Sequence, residues 1–113
     1  MLNINTEFRK GIMFVRLEGE LKKDTIKIFN DEVIEIIKKA KISNVVFNLN
    51  ELNLIDFKGI NSILYAYELC KKRKGKSLMC GNNINIKNKL KKSRLVNYVY
   101  EVSDELTAIK ILN

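Results

Sequence analysis

Val45-Val46-Phe47-Asn48-Leu49-Asn50-Glu51-Leu52-Asn53-Leu54-Ile55-Asp56-Phe57-Lys58-Gly59-Ile60-Asn61-Ser62-Ile63-Leu64 changes its hydrophobic rhythm twice. The apolar run Val45 to Leu49 is too short for a free-standing helix, Asn50 to Leu54 passes through polar residues, and beyond Asp56 to Gly59 the apolar positions return at helical spacing. The stretch predicts strand, loop and helix. Asp56 has the side chain to cap that helix by accepting from the free N–H groups of its first turn, and Gly59 lets another backbone approach closely. A helix N-terminus at the end of a buried strand is where an α/β protein commonly works.

Upstream, Leu2, Ile4 and Phe8 alternate with Asn3, Asn5 and Glu7, and Arg9-Lys10-Gly11 offers a tight connection to a second apolar run, Ile12 to Leu17. This is a hairpin pattern, closed by Gly19, with Leu21 tucked under the sheet. Asp24 is the expected N-cap of a first helix, whose stripe Ile26, Phe29, Val33, Ile36, Ile37 and Ala40 runs to about Lys39. The charges on its other face read as a solvated surface.

Downstream of the central stretch, the second helix is expected from Lys58 to Lys72, with Ile60, Ile63, Leu64, Tyr67 and Cys70 facing inward. Its basic end favours the negative pole of the helix dipole, and Gly75 is expected as the left-handed cap. Ser77 to Cys80 reads as a short buried strand ending at Gly81. Residues 82–95 read as a third, shorter helix and Val96 to Val102 as a final strand. Ser103-Asp104-Glu105 then opens a last helix, with Leu106, Ile109 and Leu112 facing in. The predicted class is α/β: a mixed sheet of four to five strands, an N-terminal hairpin followed by alternating helices and parallel strands, and four helices, with residues 1–113 forming one domain.

Composition narrows the chemistry. With 113 residues, 46% hydrophobic and 30% charged, the chain is long and apolar enough to bury a core. No apolar run approaches the roughly 20 residues that span a bilayer. Met1 leads directly into a polar alternating segment, which reads as lacking a signal peptide, and Cys70 and Cys80 make no disulfide framework; the expected compartment is the cytoplasm. Each cysteine reads as a small core residue. Without histidine and without a paired-carboxylate constellation or a Gly-rich phosphate loop, neither a metal site, a cofactor nor an enzyme is expected.

The formal charge of +8 attracts polyanions in general, and the third helix is its densest part, with Lys87, Lys89, Lys91, Lys92 and Arg94. No aromatic residues interleave with these lysines to stack on bases, so stable nucleic-acid binding is not expected.

The order of elements and the central stretch together resemble the STAS domain of anti-sigma factor antagonists. The family pattern is an apolar strand ending in Asp-Leu-Ser, followed after several residues by Asp-Ser-Ser-Gly-Leu opening the second helix. Here the corresponding residues are Asn48-Leu49-Asn50 and Asp56-Phe57-Lys58-Gly59-Ile60, and Gly19-Glu20-Leu21 looks like the family's Gly-Glu-Leu before the first helix. The resemblance runs from about Asn5 to Leu112.

That resemblance implies a non-enzymatic binding module whose partner is an anti-sigma factor with serine kinase activity, so that the module regulates sigma-factor-dependent transcription. In the family, phosphorylation of the second serine breaks the complex by adding nearly two negative charges to the contact surface, and a phosphatase restores it. This sequence departs there: Lys58 stands at the phosphoacceptor position and Phe57 before it, while Lys22 replaces an acidic residue that often follows Gly-Glu-Leu. Ser62 lies one helical turn further on, projects from a different point and is a poor substitute for the acceptor. The third-helix Gly-Leu of the family is Arg94-Leu95 here.

Lys58 reads in two ways, as an exposed first-turn residue that costs a few tenths of a kcal/mol against the helix dipole, or, with Lys22, as a positive recognition patch. The expected partner-binding surface is the loop Asn50 to Phe57, with Asp56 in it, then Lys58, Gly59 and the start of the second helix at Asn61, Ser62 and Tyr65, with Glu20, Lys22 and Asp24 alongside. The alternative is an anion- or nucleotide-responsive module, or a scaffold STAS subunit of another signalling or transport assembly, with its anion at the second helix's N-terminus.

Overall fold

The computed structural model describes all 113 residues and contains one five-stranded sheet in the order β1-β2-β3-β4-β5. Strands β1 (Leu2–Arg9) and β2 (Ile12–Leu21) form the expected antiparallel hairpin, in register from Leu2 opposite Gly19 to Arg9 opposite Ile12. Its two-residue turn has positive φ at both Lys10 and Gly11, the backbone that matches the twist of a hairpin. Strands β3 (Asn44–Ile55), β4 (Ser77–Cys80) and β5 (Tyr100–Glu101) add in parallel. The alternation of strands and helices is thus as the pattern predicts.

Helix α1 is continuous over residues 26–39 but contains a widened π turn at Asn30–Ile34 between Ile26–Phe29 and Glu35–Lys39. The extra residue lets Ile34, which the simple stripe omits, point into the core beside Val33, while Ala40 lies past the end and is exposed. Helix α2 spans Phe57–Lys72, α3 spans Ile84–Ser93 and α4 spans Glu105–Leu112.

The sheet is packed on both faces. Met13, Val15, Leu17, Val45, Phe47, Leu49 and Met79 meet α1, α2 and α3 on one side. On the other, Ile12, Phe14, Val46, Leu78 and Cys80 meet α4 through Ala108. Both cysteines are buried, and burial raises both thiols, Cys80 to about 11, so they are inert core residues.

Five expectations are corrected. Asn50 to Leu54 is no loop: β3 continues to Ile55, pairing Glu51 with Glu18, Leu52 with Gly19 and Ile55 with Leu21 across two register shifts. Gly19 does not close β2 but lies within it at the second shift, with φ of 103°, where a Cβ would strike the Met1 carbonyl. Gly75 is not the left-handed cap of α2, because Lys74 takes that conformation at φ 62°. The N–H groups of Lys74 and Gly75 bond the carbonyls of Lys71 and Cys70 as a Schellman motif, and Gly75 is required because a Cβ there would strike the Ser43 carbonyl. The last strand shrinks to two residues, since Leu95–Asn97 winds into a 3₁₀ turn that buries Leu95, while Val99 is buried beyond it. Leu106 is 62% exposed, and the inward positions of α4 are Ala108, Ile109 and Leu112.

Candidate functional site

The parallel strands β2, β3 and β4 all end on one side of the molecule, at Leu21, Ile55 and Cys80. Helix α2 begins there immediately after β3. Asp56 is its N-cap, extended at φ −110°, with Oδ1 accepting from the Gly59 N–H at 2.8 Å and Oδ2 accepting from the Lys23 N–H at 2.9 Å. One carboxylate therefore ties the start of α2 to the segment leaving β2. Burial pushes the Asp56 carboxyl up, but the N–H groups of Gly59, Lys23 and Lys58 outweigh it and hold the group below its ordinary value. Replacing Asp56 by Ala removes both acceptors and is expected to lower unfolding stability by about 1.5 kcal/mol. Urea unfolding of the variant would read this as a lower midpoint at unchanged slope.

Gly59 is buried at the closest approach of α2 to β2, against the Leu21 carbonyl, which also accepts the Asp56 N–H at 3.2 Å. Around this anchor the expected surface residues divide. Phe57, 71% exposed, stands on the flank facing α3. Asn61, Ser62 and Tyr65 stand on the opposite flank and share a shallow depression with Asn30, Glu35 and Lys38 of α1. Ser62 Oγ donates to the Lys58 carbonyl one turn back, and Tyr65 carries Lys38 over its ring at 5.5 Å. Lys58 lies at the tip, exposed and without an ion pair.

The segment from Glu20 to Asp24 is organised by a residue that sequence reasoning missed. Thr25 Oγ1 accepts from the Lys22 N–H at 3.0 Å and donates to the Glu20 carbonyl at 2.8 Å. Asp24, the expected N-cap of α1, is exposed and makes no capping bond, because the chain first winds a 3₁₀ turn at Lys23–Thr25. Lys22 pairs with Glu20 at 3.2 Å, so its charge is met locally, and that ammonium holds the Glu20 carboxyl below its ordinary value. An anion at the start of α2 would compete with Asp56 for the Gly59 N–H.

Asn83 was also missed. Its Oδ1 caps α3 by accepting from the Asn85 N–H, while its Nδ2 donates to the carbonyls of Leu49, Asn50 and Leu52 at 3.1, 3.2 and 2.7 Å. The start of α3 is thereby fastened to the irregular part of β3. Arg94 ends α3 at φ 65°, the conformation that a glycine takes more readily.

The family model of the STAS domain matches residues 3–108. This chain belongs to the STAS domain family. The STAS domain is 28% identical over 108 residues to the anti-sigma F factor antagonist of Paenibacillus polymyxa, covering 96% of this chain and 92% of that one. Its fold matches an anti-sigma factor antagonist from Mycobacterium paratuberculosis with a TM-score of 0.86 at 13% identity, covering 99% and 94% of the two chains. It also matches a sulfate transporter family protein from Wolinella succinogenes with a TM-score of 0.73 at 16% identity, covering 94% and 90%. The protein is thus similar both to anti-sigma factor antagonists and to a transporter-family protein, and none of its helices is long and apolar enough to cross a membrane.

Proposed function

We propose that this STAS domain binds an anti-sigma factor with serine kinase activity through the start of α2 and so frees a sigma factor, without the serine switch of its relatives. The observation that carries the reading is Lys58. In a chain aligned nearly end to end with an antagonist, it occupies the exposed tip of a helix that Asp56 and Gly59 hold as the family pattern requires. A lysine has no hydroxyl to receive a phosphoryl group, so the partner's kinase has no acceptor at this position. The binding surface is Phe57, Lys58, Asn61, Ser62 and Tyr65, with Glu20, Lys22 and Asp24 beside them; Asp56 and Gly59 act by fixing its shape. Phe57 is the expected anchor, since its exposed phenyl ring, on the α3 side of the patch, has the most apolar surface there to gain from burial by a partner.

The test is a pull-down from the native cell extract, depleted of ATP, with wild-type protein, Lys58→Ser and Phe57→Ala side by side, with bound proteins identified by mass spectrometry. An ATP-binding anti-sigma factor retained by the first two and reduced about tenfold on Phe57→Ala is expected. Recovery of signalling or transport subunits without such a kinase would replace this reading by the scaffold one. A thermal shift with micromolar nucleotide or phosphate would instead favour a ligand-responsive module.

A further inference from the structure

Between α2 and α3 lies a groove of about 430 Å³ that the antagonist reading does not use, apart from Phe57 at its mouth. Ile60 and Phe57 form its apolar side. Asn85, Asn88, Lys89 and Lys92 form the other, at the i, i+3, i+4 and i+7 spacing of one helical stripe. Lys89 and Lys92 have no carboxylate partner, and α3 contains no acidic residue. Asp56 is near enough to feel the charge of Lys89, but its oxygens are engaged by the N–H groups of Gly59 and Lys23. The start of this bank is fastened to the sheet, because Asn83 donates to three carbonyls of β3. The groove therefore sets two unpaired ammonium groups opposite an exposed aromatic ring.

We infer that this groove docks an acidic segment of a partner protein, one that sets carboxylates on Lys89 and Lys92 and an apolar or aromatic side chain against Phe57 and Ile60. Charge complementarity selects the acid, and the amide groups of Asn85 and Asn88 provide donors and acceptors for a polypeptide backbone. Nucleic acid fits less well: Phe57 is the one aromatic residue along the groove, so successive bases have nothing to stack upon. A free phosphate would leave the apolar side empty.

The test contains no anti-sigma factor, so its failure is separate from failure of the antagonist reading. The ¹⁵N-labelled protein is titrated with a random copolymer of glutamate and tyrosine, with polyglutamate and with oligothymidylate, following backbone amide shifts. The expected result is that the copolymer moves Phe57, Asn85, Asn88, Lys89 and Lys92, and binds more tightly than polyglutamate. Lys89→Glu/Lys92→Glu should weaken it about tenfold. Lys72→Glu/Lys76→Glu makes the same charge change at exposed positions, the last residue of α2 and the residue before β4, and should alter binding less than about twofold. Equal losses in the two double variants, shifts centred elsewhere, or tighter binding of oligothymidylate would overturn the proposal.

Discussion

Gly59→Ala is expected to lower unfolding stability by about 3 kcal/mol, a fall of roughly 10 °C in Tm. The added Cβ would collide with the Leu21 carbonyl oxygen, a backbone atom that cannot swing aside, and would sit 2.9 Å from Ile55 Cγ1 and 3.0 Å from Leu21 Cγ. Relief requires α2 to move away from the end of β2. That movement would stretch the Asp56 N–H bond to Leu21 and the Lys23 N–H bond to Asp56 together, so the surface around Lys58 should deform along with the loss of stability. Thermal unfolding followed by circular dichroism would measure the first effect. A loss below about 0.5 kcal/mol would mean that the helix shifts freely and that the close approach is not what holds the site.

Arg16→Ala should cost about 2 kcal/mol, by a different route. On the α4 face of the sheet, Arg16 Nε and Nη2 donate to the two oxygens of Glu105 at 2.8 and 2.7 Å, and Asn48 Nδ2 donates to Oε2 at 2.9 Å. The Glu105 side chain is only 18% exposed, so loss of Arg16 leaves a largely buried carboxylate with one neutral donor. Because Glu105 is the first residue of α4, the damage should appear as lost hydrogen-exchange protection in that helix. Removing both charges, as Arg16→Leu/Glu105→Leu, should cost less than the single change.

The same ion pair sets an acid limit. Hydrogen bonding from Arg16 holds the Glu105 carboxyl below its ordinary value against the opposing effect of burial. The folded protein therefore takes up this proton at lower pH than the unfolded chain does, and the stabilisation is present above the ordinary value of 4.5 and lost as pH falls through the folded value. Arg16→Ala should show a smaller loss of stability than wild type between neutral pH and about pH 3.

How much of this was legible depended on whether the cause was local. The hairpin was, because alternation in Leu2 to Phe8 and the Lys10–Gly11 pair both act within a few residues. Asp56 and Gly59 were too, since a cap and a close approach favour those residue types wherever they occur. β3 was not legible beyond Leu49: Asn50, Glu51 and Asn53 are exposed, and a bulge shifts the alternation that would mark them as strand. Val99 looked like a strand residue because its burial gives the same apolar signal outside a strand. Arg16 and Asn48 interrupt apolar runs, which signals a polar partner on the buried sheet, yet Glu105 is 89 residues from Arg16 and nothing local names it. Asn83 was not legible, because it lies inside the stretch read as helix and its bonds to three β3 carbonyls exist only once the sheet has formed. Lys58 was legible as a departure from the family pattern, whereas the pairing of Lys22 with Glu20, which leaves Lys58 as the uncompensated charge, required the fold.

The most direct test of the account is to form the complex with the captured anti-sigma factor, add magnesium and ATP, and follow intact mass and co-elution on gel filtration. Wild-type protein should keep its mass and stay in the complex, while Lys58→Ser should gain one phosphate and be released. Phosphorylation of the wild-type protein with release from the complex would contradict the account, because the switch would then reside at a residue other than position 58.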